Sequence, residues 1–276
     1  MQEGVHKRAR GRPKSIFNNA QPSTVKALDR GLVLLKHLSQ EGQVSLSNLA
    51  LTVGMPPSSA HRVLITLQKH RLVEFDATTQ EWMIGIEAFR IGSAYLVRTN
   101  LVEASRQTIR NLMETTGETA NIAIADDGDV VFVSQVETHN PIRAFFRVGT
   151  RSHMHTSGIG KALMADMERS DVERILQQKG LPQFTPKTLT SPQSLFEDLE
   201  AIQKRGWSLD DEERHSGMRC VAASIYNAVG LPVAGVSVSG PTVRLTDQVI
   251  SELGPLVRRA ADEITLLIGG AKEIES

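Results

Sequence analysis

The sequence predicts an α+β protein that consists of an N-terminal winged helix-turn-helix, a linker helix and a larger α/β domain. Two short helical patterns joined by a proline turn fill Ser45–Lys69, and two short strand patterns follow them directly. From residue 119 onward, strand and helix patterns alternate over more than half of the 276-residue chain. We expect a disordered basic tail at residues 1–22, the winged domain at 23–85, the linker helix at 86–103 and the larger domain at 104–276.

The tail is basic and has no apolar run, so it is expected to be disordered on its own. Its core, Lys7–Lys14, reads KRARGRPK. Arg10 and Arg12 enclose Gly11 in a motif that resembles the core of an AT-hook, an extended arm that lies in A/T-rich minor grooves. Arginine is favoured there because a narrow groove concentrates negative potential. A merely solubilising tail is the alternative.

The winged domain is predicted element by element. Gly54 ends the first helix of the pair, and Met55-Pro56-Pro57 makes the turn because a residue before proline is pushed out of the α region. The predicted helices are Ser23–Gln40, capped by Ser23 or Thr24, Ser45–Val53 and Ser58–Lys69. The predicted strands are Leu72–Phe75 and Trp82–Ile84, which enclose the polar loop Asp76–Glu81 as a wing.

The second helix of the pair has a short, polar and cationic outward face. Its first turns present Ser58, Ser59, His61 and Arg62. Hydroxyl and guanidinium groups of this size reach base edges and phosphates in a major groove, as a recognition helix does. The alternative is an ordinary pair of amphipathic helices with a solvated face. Together with the tail and the wing, the pattern predicts binding to double-stranded operator DNA.

Charge is unevenly distributed along the chain. Lys plus Arg and Asp plus Glu are both 31, but residues 1–75 hold 11 basic and 4 acidic residues, which leaves 20 and 27 for the remainder. A basic first third on a neutral chain indicates a polyanion-binding module joined to a domain with another task. The single cysteine excludes an intramolecular disulfide. With no signal-peptide pattern and no long apolar run, a cytoplasmic protein without a membrane span is expected.

The remainder of the chain reads as mixed helices and strands. The helical pattern Ile86–Thr116 is equally consistent with a dimer seam and with a buried core helix. Predicted strands are Thr119–Ala125, Val130–Val136, Ile142–Val148, Trp207–Asp210, Cys220–Tyr226 and Pro232–Ser239. Predicted helices are Lys161–Met167, Val172–Gln178 with a capping box at Ser170 and Glu173, Ser191–Arg205, and Thr246–Ile268, kinked or split at Gly254-Pro255.

Two features of this part are suited to a small-molecule pocket. Ser237 and Ser239 lie two residues apart on one strand, so their hydroxyls face the same way. Gly158, Ile159 and Gly160 open a helix, where free N–H groups and the helix dipole favour a carboxylate. A half-exposed strand edge and an ordinary tight turn are the respective alternatives.

The spacing of the candidate residues does not match known catalytic or metal-binding motifs. Ser157 lacks the glycine two positions before it that a nucleophile elbow needs, and Gly160-Lys161 lacks the other residues of a P-loop. His153 and His155 have no further ligand at a typical spacing, so neither a metal site nor a cofactor is predicted. Asp210–Glu213 is interpreted as a solvated acidic loop rather than a catalytic carboxylate pair.

Five short motifs resemble those of the IclR family of bacterial transcription regulators, and within it the regulators of glyoxylate and allantoin pathways. They are Pro57–Leu64 (PSSAHRVL), His155–Ala162 (HTSGIGKA), Asp210–Glu213 (DDEE), Gly217–Ala223 (GMRCVAA) and Val236–Pro241 (VSVSGP). The resemblance implies a GAF-like effector-binding domain and a homodimer or homotetramer on a palindromic operator. It also implies an effector pocket lined by Gly158, Ile159, Asp210, Cys220, Ser237 and Ser239, with Met218 as a weaker candidate.

The sequence departs from the family pattern at two places that bear on the effector. Ile159 stands where alanine is frequent, and Ala144-Phe145-Phe146 replaces smaller or thioether residues. We expect this bulk to shrink the pocket and to favour a small carboxylate. Asp210 would accept a hydrogen bond from a hydroxyl or hydrated carbonyl, which makes glyoxylate the first candidate and pyruvate the second. The expected function is a ligand-responsive regulator, a repressor rather than an activator, with a constitutive DNA binder and a cytosolic enzyme as the rival readings.

Overall fold

The computed structural model describes residues 25–144 and 146–271, and for residues 94–99 it describes the backbone only. The chain divides into two units, Met1–Tyr95 and Leu96–Ser276. Arg10 and Arg12, the capping residues Ser23 and Thr24, and Phe145 lie outside the described residues. No helix among the described residues is long and apolar enough to cross a membrane.

The first unit is a helix-turn-helix with a small antiparallel sheet. Its elements are α1 (Lys26–Glu41), β1 (Gln43–Ser45), α2 (Leu46–Thr52), α3 (Pro57–Lys69), β2 (Val73–Asp76) and β3 (Glu81–Ile84). The strand order is β1-β3-β2. The predicted helices and both wing strands are therefore present, and β1, which is only three residues long, is an addition that no periodicity in the sequence indicates.

Local signals explain the helix-turn-helix. The Ser45 hydroxyl caps α2 by accepting a hydrogen bond from the Asn48 N–H, and Gly54 adopts a φ of +61° directly after that helix. Pro57 begins α3, where a missing N–H costs nothing. Leu49, Leu64 and Trp82 are buried in one common core, so the turn, the helix pair and the wing stabilise one another.

The second unit is a six-stranded antiparallel sheet covered by helices. Its helices are α4 (Ile86–Thr99), which crosses the boundary between the units, α5 (Leu101–Thr116), α6 (Gly158–Ala165), α7 (Arg169–Lys179), α8 (Pro192–Arg205) and α9 (Asp247–Leu267). Its strands are β4 (Thr119–Asp126), β5 (Asp129–Val136), β6 (Arg151–His153), β7 (Ser208–Asp211), β8 (Met218–Tyr226) and β9 (Pro232–Pro241), in the order β6-β5-β4-β9-β8-β7.

The alternation along β9 decides which face of this sheet holds which chemistry. Ala234, Val236 and Val238 belong to the apolar core against α5 and α9. The residues that alternate with them, which include Ser237 and Ser239, face the opposite side, where α6, α7 and α8 form a second core. The two serines therefore lie side by side beneath the start of α6.

Three predictions about elements are wrong. Ile142–Val148 is not a strand. Within it Ala144 is buried and Phe146 stacks on Phe132, whereas Ile142 and Val148 are exposed, so its apolar residues pack over the sheet without pairing as a strand. The strand that pairs with β5 at this edge is β6. The predicted cap at Ser170 is also wrong. Helix α7 already begins at Arg169, so Ser170 lies inside the helix and Glu168 holds the cap position.

The third concerns α9, which was predicted to be kinked or split at Gly254-Pro255: the split is wrong, because one helix runs from Asp247 to Leu267, and the kink stays a prediction. The glycine has a packing reason, since a Cβ at Gly254 would lie 2.2 Å from the Trp207 ring. The helical pattern Ile86–Thr116 is also interrupted. Asn100 adopts a left-handed φ of +51° and separates α4 from α5.

Candidate functional site

A cavity of about 160 Å³ lies between the helix-covered face of the sheet and the start of α6. Most of the pocket residues named in the sequence come together there: Gly158, Asp210, Met218, Cys220, Ser237 and Ser239 all line it. The β8–β9 pairing places Cys220 opposite Ser239. Residues from α6, β7, β8 and β9 therefore converge on one small space.

The floor of the cavity is formed by three small polar groups. They are the Cys220 thiol and the hydroxyls of Ser237 and Ser239, which line the cavity on the adjacent strands β8 and β9. Burial, followed by the charge of Asp210, raises the pKa of the thiol to about 11. The thiol therefore stays protonated at neutral pH and serves as a weak donor rather than as a nucleophile.

Gly158 is required by close packing against β8. A Cβ at this position would lie 2.9 Å from Cys220 Sγ and 3.3 Å from the Ala222 Cβ. Ser157 caps α6 by accepting a hydrogen bond of 3.3 Å from the Gly160 N–H. The hydroxyl that sequence reasoning tested as a nucleophile thus has a structural task, and the helix dipole at the first turn favours an anion.

Ile159 does not narrow the cavity, so that part of the expectation is wrong. Its side chain is buried away from the cavity, and a Cβ at Gly235 would lie 2.6 Å from Ile159 Cγ2. The missing Gly235 side chain provides the space for the isoleucine. Phe146 supplies the bulk instead, because it lines the cavity and its ring stacks on Phe132 at a centroid distance of 4.4 Å.

Asp210 lies at the cavity edge and is buried, which corrects the interpretation of its segment as a solvated loop. Its Oδ1 accepts a 2.8 Å hydrogen bond from the Glu213 N–H. Burial raises the pKa of Asp210 to about 6, although the Lys161 charge and the backbone hydrogen bonds oppose the shift. Glu213 is buried as well, whereas Asp211 and Glu212 remain partly accessible.

A buried ion cluster next to the cavity was missed by sequence reasoning. Lys161 Nζ donates to Asp198 Oδ2 at 2.7 Å and to Glu213 Oε1 at 2.6 Å, and the lysine is only 1% exposed. Burial raises the pKa of Glu213 to about 7 against the attraction of Lys161. The available signal was a single lysine inside the otherwise apolar and small-residue helix GIGKALMA. The cluster joins α6, α8 and the segment after β7.

Cationic side chains at the cavity were also missed. Arg143, Arg214 and Arg219 line it together with His215. Arg219 is held by Asp211 at 2.5 Å and by Asp247 at 2.8 Å, and Arg143 pairs with Glu137. The Arg214 guanidinium stacks over the Phe184 ring at 3.9 Å and forms no ion pair with any described residue. Carboxylate partners therefore neutralise Arg143 and Arg219, and Arg214 is the lining arginine whose charge is left uncompensated by the described residues.

The two histidines considered for a metal are placed in an aromatic cluster. The ring centroids of His153 and His155 are 5.8 Å apart, and each packs near Phe184. His155 Nε2 lies 3.1 Å from the Pro182 carbonyl oxygen. Among the described residues, no group of three or more His, Cys, Asp or Glu side chains is arranged to hold a metal ion.

The outward face of α3 is the candidate nucleic-acid interface. Ser58, His61 and Arg62 are exposed, and Ser59 is half-buried. Arg62 forms no ion pair within the described part of the chain, so no intradomain salt bridge occupies its guanidinium there. In the wing loop, the Thr78 N–H donates to Asp76 Oδ1 at 2.7 Å, and this hydrogen bond lowers the pKa of Asp76.

An exposed recognition helix in one unit and a small polar cavity in the other define a ligand-responsive, DNA-binding transcription regulator. The chain belongs to the IclR family: residues 27–77 match the IclR helix-turn-helix domain, and residues 93–266 match the family model described as the bacterial transcriptional regulator IclR C-terminal domain. Members of this family regulate transcription and are not enzymes.

Curated relatives match over nearly the whole length. The HTH-type transcriptional regulator BhcR of Paracoccus denitrificans is 46% identical over 98% of both chains. The transcriptional repressor IclR of Escherichia coli is 40% identical over 95% of this chain and 97% of its own.

Solved structures share the fold. The Thermotoga maritima IclR structure is 28% identical, with a TM-score of 0.73, and covers 88% of this chain and 99% of its own. An IclR homologue of Microbacterium hydrocarbonoxydans, complexed with 4-hydroxybenzoate, has a TM-score of 0.78 at 21% identity and covers 88% of this chain and 98% of its own.

Proposed function

We propose that the protein is a repressor that binds an operator through α3, the wing and the Arg10/Arg12 tail, and that a small carboxylate in the cavity releases it. The observation that carries this proposal is the convergence of Gly158, Asp210, Cys220, Ser237 and Ser239 on one cavity. Similar regulators named as repressors support the sign of regulation. An effector acts by binding one state of the regulator more tightly than the other.

The chemistry of the cavity supports an effector of few carbons. At about 160 Å³ it is smaller than pockets for drug-sized ligands, which usually measure ~300–1,000 Å³. The N–H group of Gly158 and the serine hydroxyls provide donors for a carboxylate at one end. Asp210 favours a hydroxyl or hydrated carbonyl at the other end. We propose glyoxylate as the first effector to test and pyruvate as the second, in keeping with the carboxylate bound by the Microbacterium homologue.

Ser239→Ala is expected to weaken effector binding by about 1–3 kcal/mol, or roughly tenfold to a hundredfold, because a buried ligand oxygen loses its donor. Operator binding without effector should stay at the wild-type level. Titration calorimetry with glyoxylate and pyruvate, next to operator gel shifts with and without each acid, checks both statements. A Ser239→Ala protein that leaves the operator at the wild-type dose of either acid would remove Ser239 from the effector site.

The raised pKa of Asp210 predicts that pyruvate affinity depends on pH. Pyruvate has no hydroxyl to donate to an ionised carboxylate, so its binding is opposed while Asp210 is charged. As the pH falls from about 8 to about 5 through the Asp210 pKa of about 6, the charge is lost and pyruvate affinity should rise. Asp210→Asn should bind pyruvate more tightly than wild type at the upper pH, with a flatter profile. Calorimetry at several pH values in this range measures the pyruvate affinity of both proteins. The same dependence of affinity on pH in wild type and Asp210→Asn would contradict the prediction.

Arg62→Ala is expected to cost about 1–3 kcal/mol of specific operator binding if the guanidinium contacts a base. The residue is exposed on α3 and has no ion-pair partner among the described residues, so the substitution should leave the fold intact. Lys36→Ala on α1 is the matched control, since it removes an exposed positive charge away from α3. Quantitative footprinting compares the two variants. Equal operator affinities for both would show that Arg62 makes no specific contact.

We propose a second copy of the chain as the partner, in a homodimer or a homotetramer. Apolar side chains that a monomer would leave in water are exposed in the first unit: Val25, Leu28 and Leu32 around α1, and Ile86, Phe89 and Ile91 on the part of α4 that precedes the boundary between the units. A homodimer also suits a palindromic operator. The division into tail (1–22), winged domain (23–85), linker helix (86–103) and effector domain (104–276) is part of this proposal, as is action in the cytoplasm. The mass of the protein in solution distinguishes monomer, dimer and tetramer.

A further inference from the structure

Arg214 lines the cavity directly after the acidic run Asp210–Glu213, yet it forms no ion pair with any described residue. Each acid of the run already has a partner of its own. Lys161 and Lys187 hold the last three, and the first accepts a hydrogen bond from the Glu213 N–H. The positive charge of Arg214 is therefore left uncompensated beside four carboxyl groups that are all engaged elsewhere.

The Arg214 side chain is nevertheless held in a defined place. Its guanidinium carbon lies 3.9 Å from the centroid of the Phe184 ring. One hydroxyl joins the segment of this ring to the backbone just before the arginine. Thr188 Oγ1 accepts a hydrogen bond of 3.0 Å from the Phe184 N–H and donates one of 2.7 Å to the Glu213 carbonyl oxygen. The guanidinium is therefore positioned by stacking and by the backbone around it, without a carboxylate partner.

Stacking on an aromatic ring uses the face of a guanidinium and leaves its edges for hydrogen bonds. The N–H groups along those edges form a rigid fork that matches the two oxygens of a carboxylate. In Arg214 the Nη1 atom is inaccessible to water and has no hydrogen-bond partner among the described residues. A buried donor without an acceptor costs free energy. A carboxylate bound along this edge would supply the acceptors and the opposite charge.

The other groups proposed to hold the effector do not select for a negative charge. The Gly158 N–H and the two serine hydroxyls are neutral donors, and Asp210 repels an anion while it is ionised. We infer that Arg214 makes the cavity selective for an anionic effector, by pairing the edge of its guanidinium with the ligand carboxylate. The inference rests on the proposed function, which it deepens, since it takes a small carboxylate as the effector.

Arg214→Met tests the inference, because it removes the charge and the fork but keeps a long apolar side chain against Phe184. Glyoxylate and pyruvate each have a neutral analogue with a hydroxymethyl group in place of the carboxylate, namely glycolaldehyde and hydroxyacetone. Titration calorimetry on the full-length protein gives the dissociation constants of all four. Arg214→Met should bind each acid about tenfold to a hundredfold more weakly, as expected for lost hydrogen bonds between charged groups. Each neutral analogue should bind almost as it does to the wild type.

The matched control is Arg169→Met on α7. Arg169 also stacks on a phenylalanine, Phe196, at 4.1 Å, but it does not line the cavity. This variant should therefore bind all four compounds as the wild type does. Arg214→Lys retains a charge without the fork, so its affinity for each acid should lie between those of Arg214→Met and the wild type. If thermal unfolding shows that Arg214→Met does not fold, Arg214→Gln takes its place in the same comparison.

The ratio between acid and neutral analogue is the readout that a purely structural role would not move. An equal loss of acids and analogues in the neutral variant, or an unchanged preference for the acids, would overturn the role of Arg214 and leave the effector class intact. A wild-type protein that binds the neutral analogues as tightly as the acids, or that binds neither acid, would overturn the proposed effector class and the role of Arg214 together.

Discussion

Lys161→Ala is expected to lower the free energy of unfolding by about 3–5 kcal/mol, the typical cost of leaving a buried charge without its partner. The ammonium group is nearly inaccessible and is the group that compensates both Glu213 at 2.6 Å and Asp198 at 2.7 Å. One Glu213 oxygen, Oε2, has no hydrogen-bond partner even in the intact cluster. Removal of the lysine therefore leaves a carboxylate in a site that solvates it poorly.

The pH dependence of this loss has a defined sign. The pKa of Glu213 is already raised to about 7 by burial, and without the Lys161 charge it should rise further. Below that pKa the carboxyl is neutral and tolerates the missing lysine, so the difference between Lys161→Ala and wild type should be smaller at about pH 5 than at about pH 8. Urea unfolding at both pH values measures the difference.

The matched control for this prediction is Lys187→Ala. Lys187 also contacts two carboxylates, Asp211 at 3.1 Å and Glu212 at 2.6 Å, but it is exposed. Surface ion pairs contribute ~0–1 kcal/mol, so this variant should unfold almost as the wild type does. If the two lysine variants lost equal stability, the buried cluster would not be the stabilising feature that its geometry indicates.

The sequence contained enough information to place most of the fold and much of the cavity, because both depend on local patterns. The alternation in β9 predicted that Ser237 and Ser239 share a face, and the small-residue turn predicted a helix start at Gly158, whereas Asp210 and Cys220 were assigned to the pocket by the family resemblance; all five line the cavity. Short motifs in a fixed order then identified the family, which composition and periodicity alone could not do.

What the sequence could not supply depends on contacts between distant segments. Lys161 meets Glu213 across 52 positions, and Asn121 meets Ser239 across 118. No local period predicts either contact. The direction of the Ile159 side chain was misjudged for the same reason, since only the position of Gly235 on β9 decides where an isoleucine at the start of α6 finds space. Likewise, the local pattern around Phe146 predicts a strand, whereas its actual role depends on stacking against Phe132, a residue on another element.

Gly158→Ala is expected to weaken effector binding by about 100-fold while operator binding without effector changes little. The added methyl group would meet Cys220 Sγ at 2.9 Å, the Cys220 carbonyl oxygen at 3.2 Å and the Ala222 Cβ at 3.3 Å. Two of these three contacts are with backbone or Cβ atoms of a central strand, which cannot turn aside as a flexible side chain would. The start of α6 must therefore move away from β8, and the N–H group proposed to hold the carboxylate moves with it.

Gly92→Ala is the matched control for this substitution. Gly92 lies within α4, has open space around its Cα and shows no left-handed φ, so an alanine there should be tolerated or should stabilise the helix slightly. Calorimetry with glyoxylate, thermal unfolding and operator gel shifts on both variants separate the possible causes. A loss of effector binding by Gly158→Ala with a stability loss of only about 1–3 kcal/mol supports a local displacement, since overpacking costs that much. An unchanged glyoxylate response in a folded Gly158→Ala protein would mean that the start of α6 is not the carboxylate seat, and the search for it would move to Arg214.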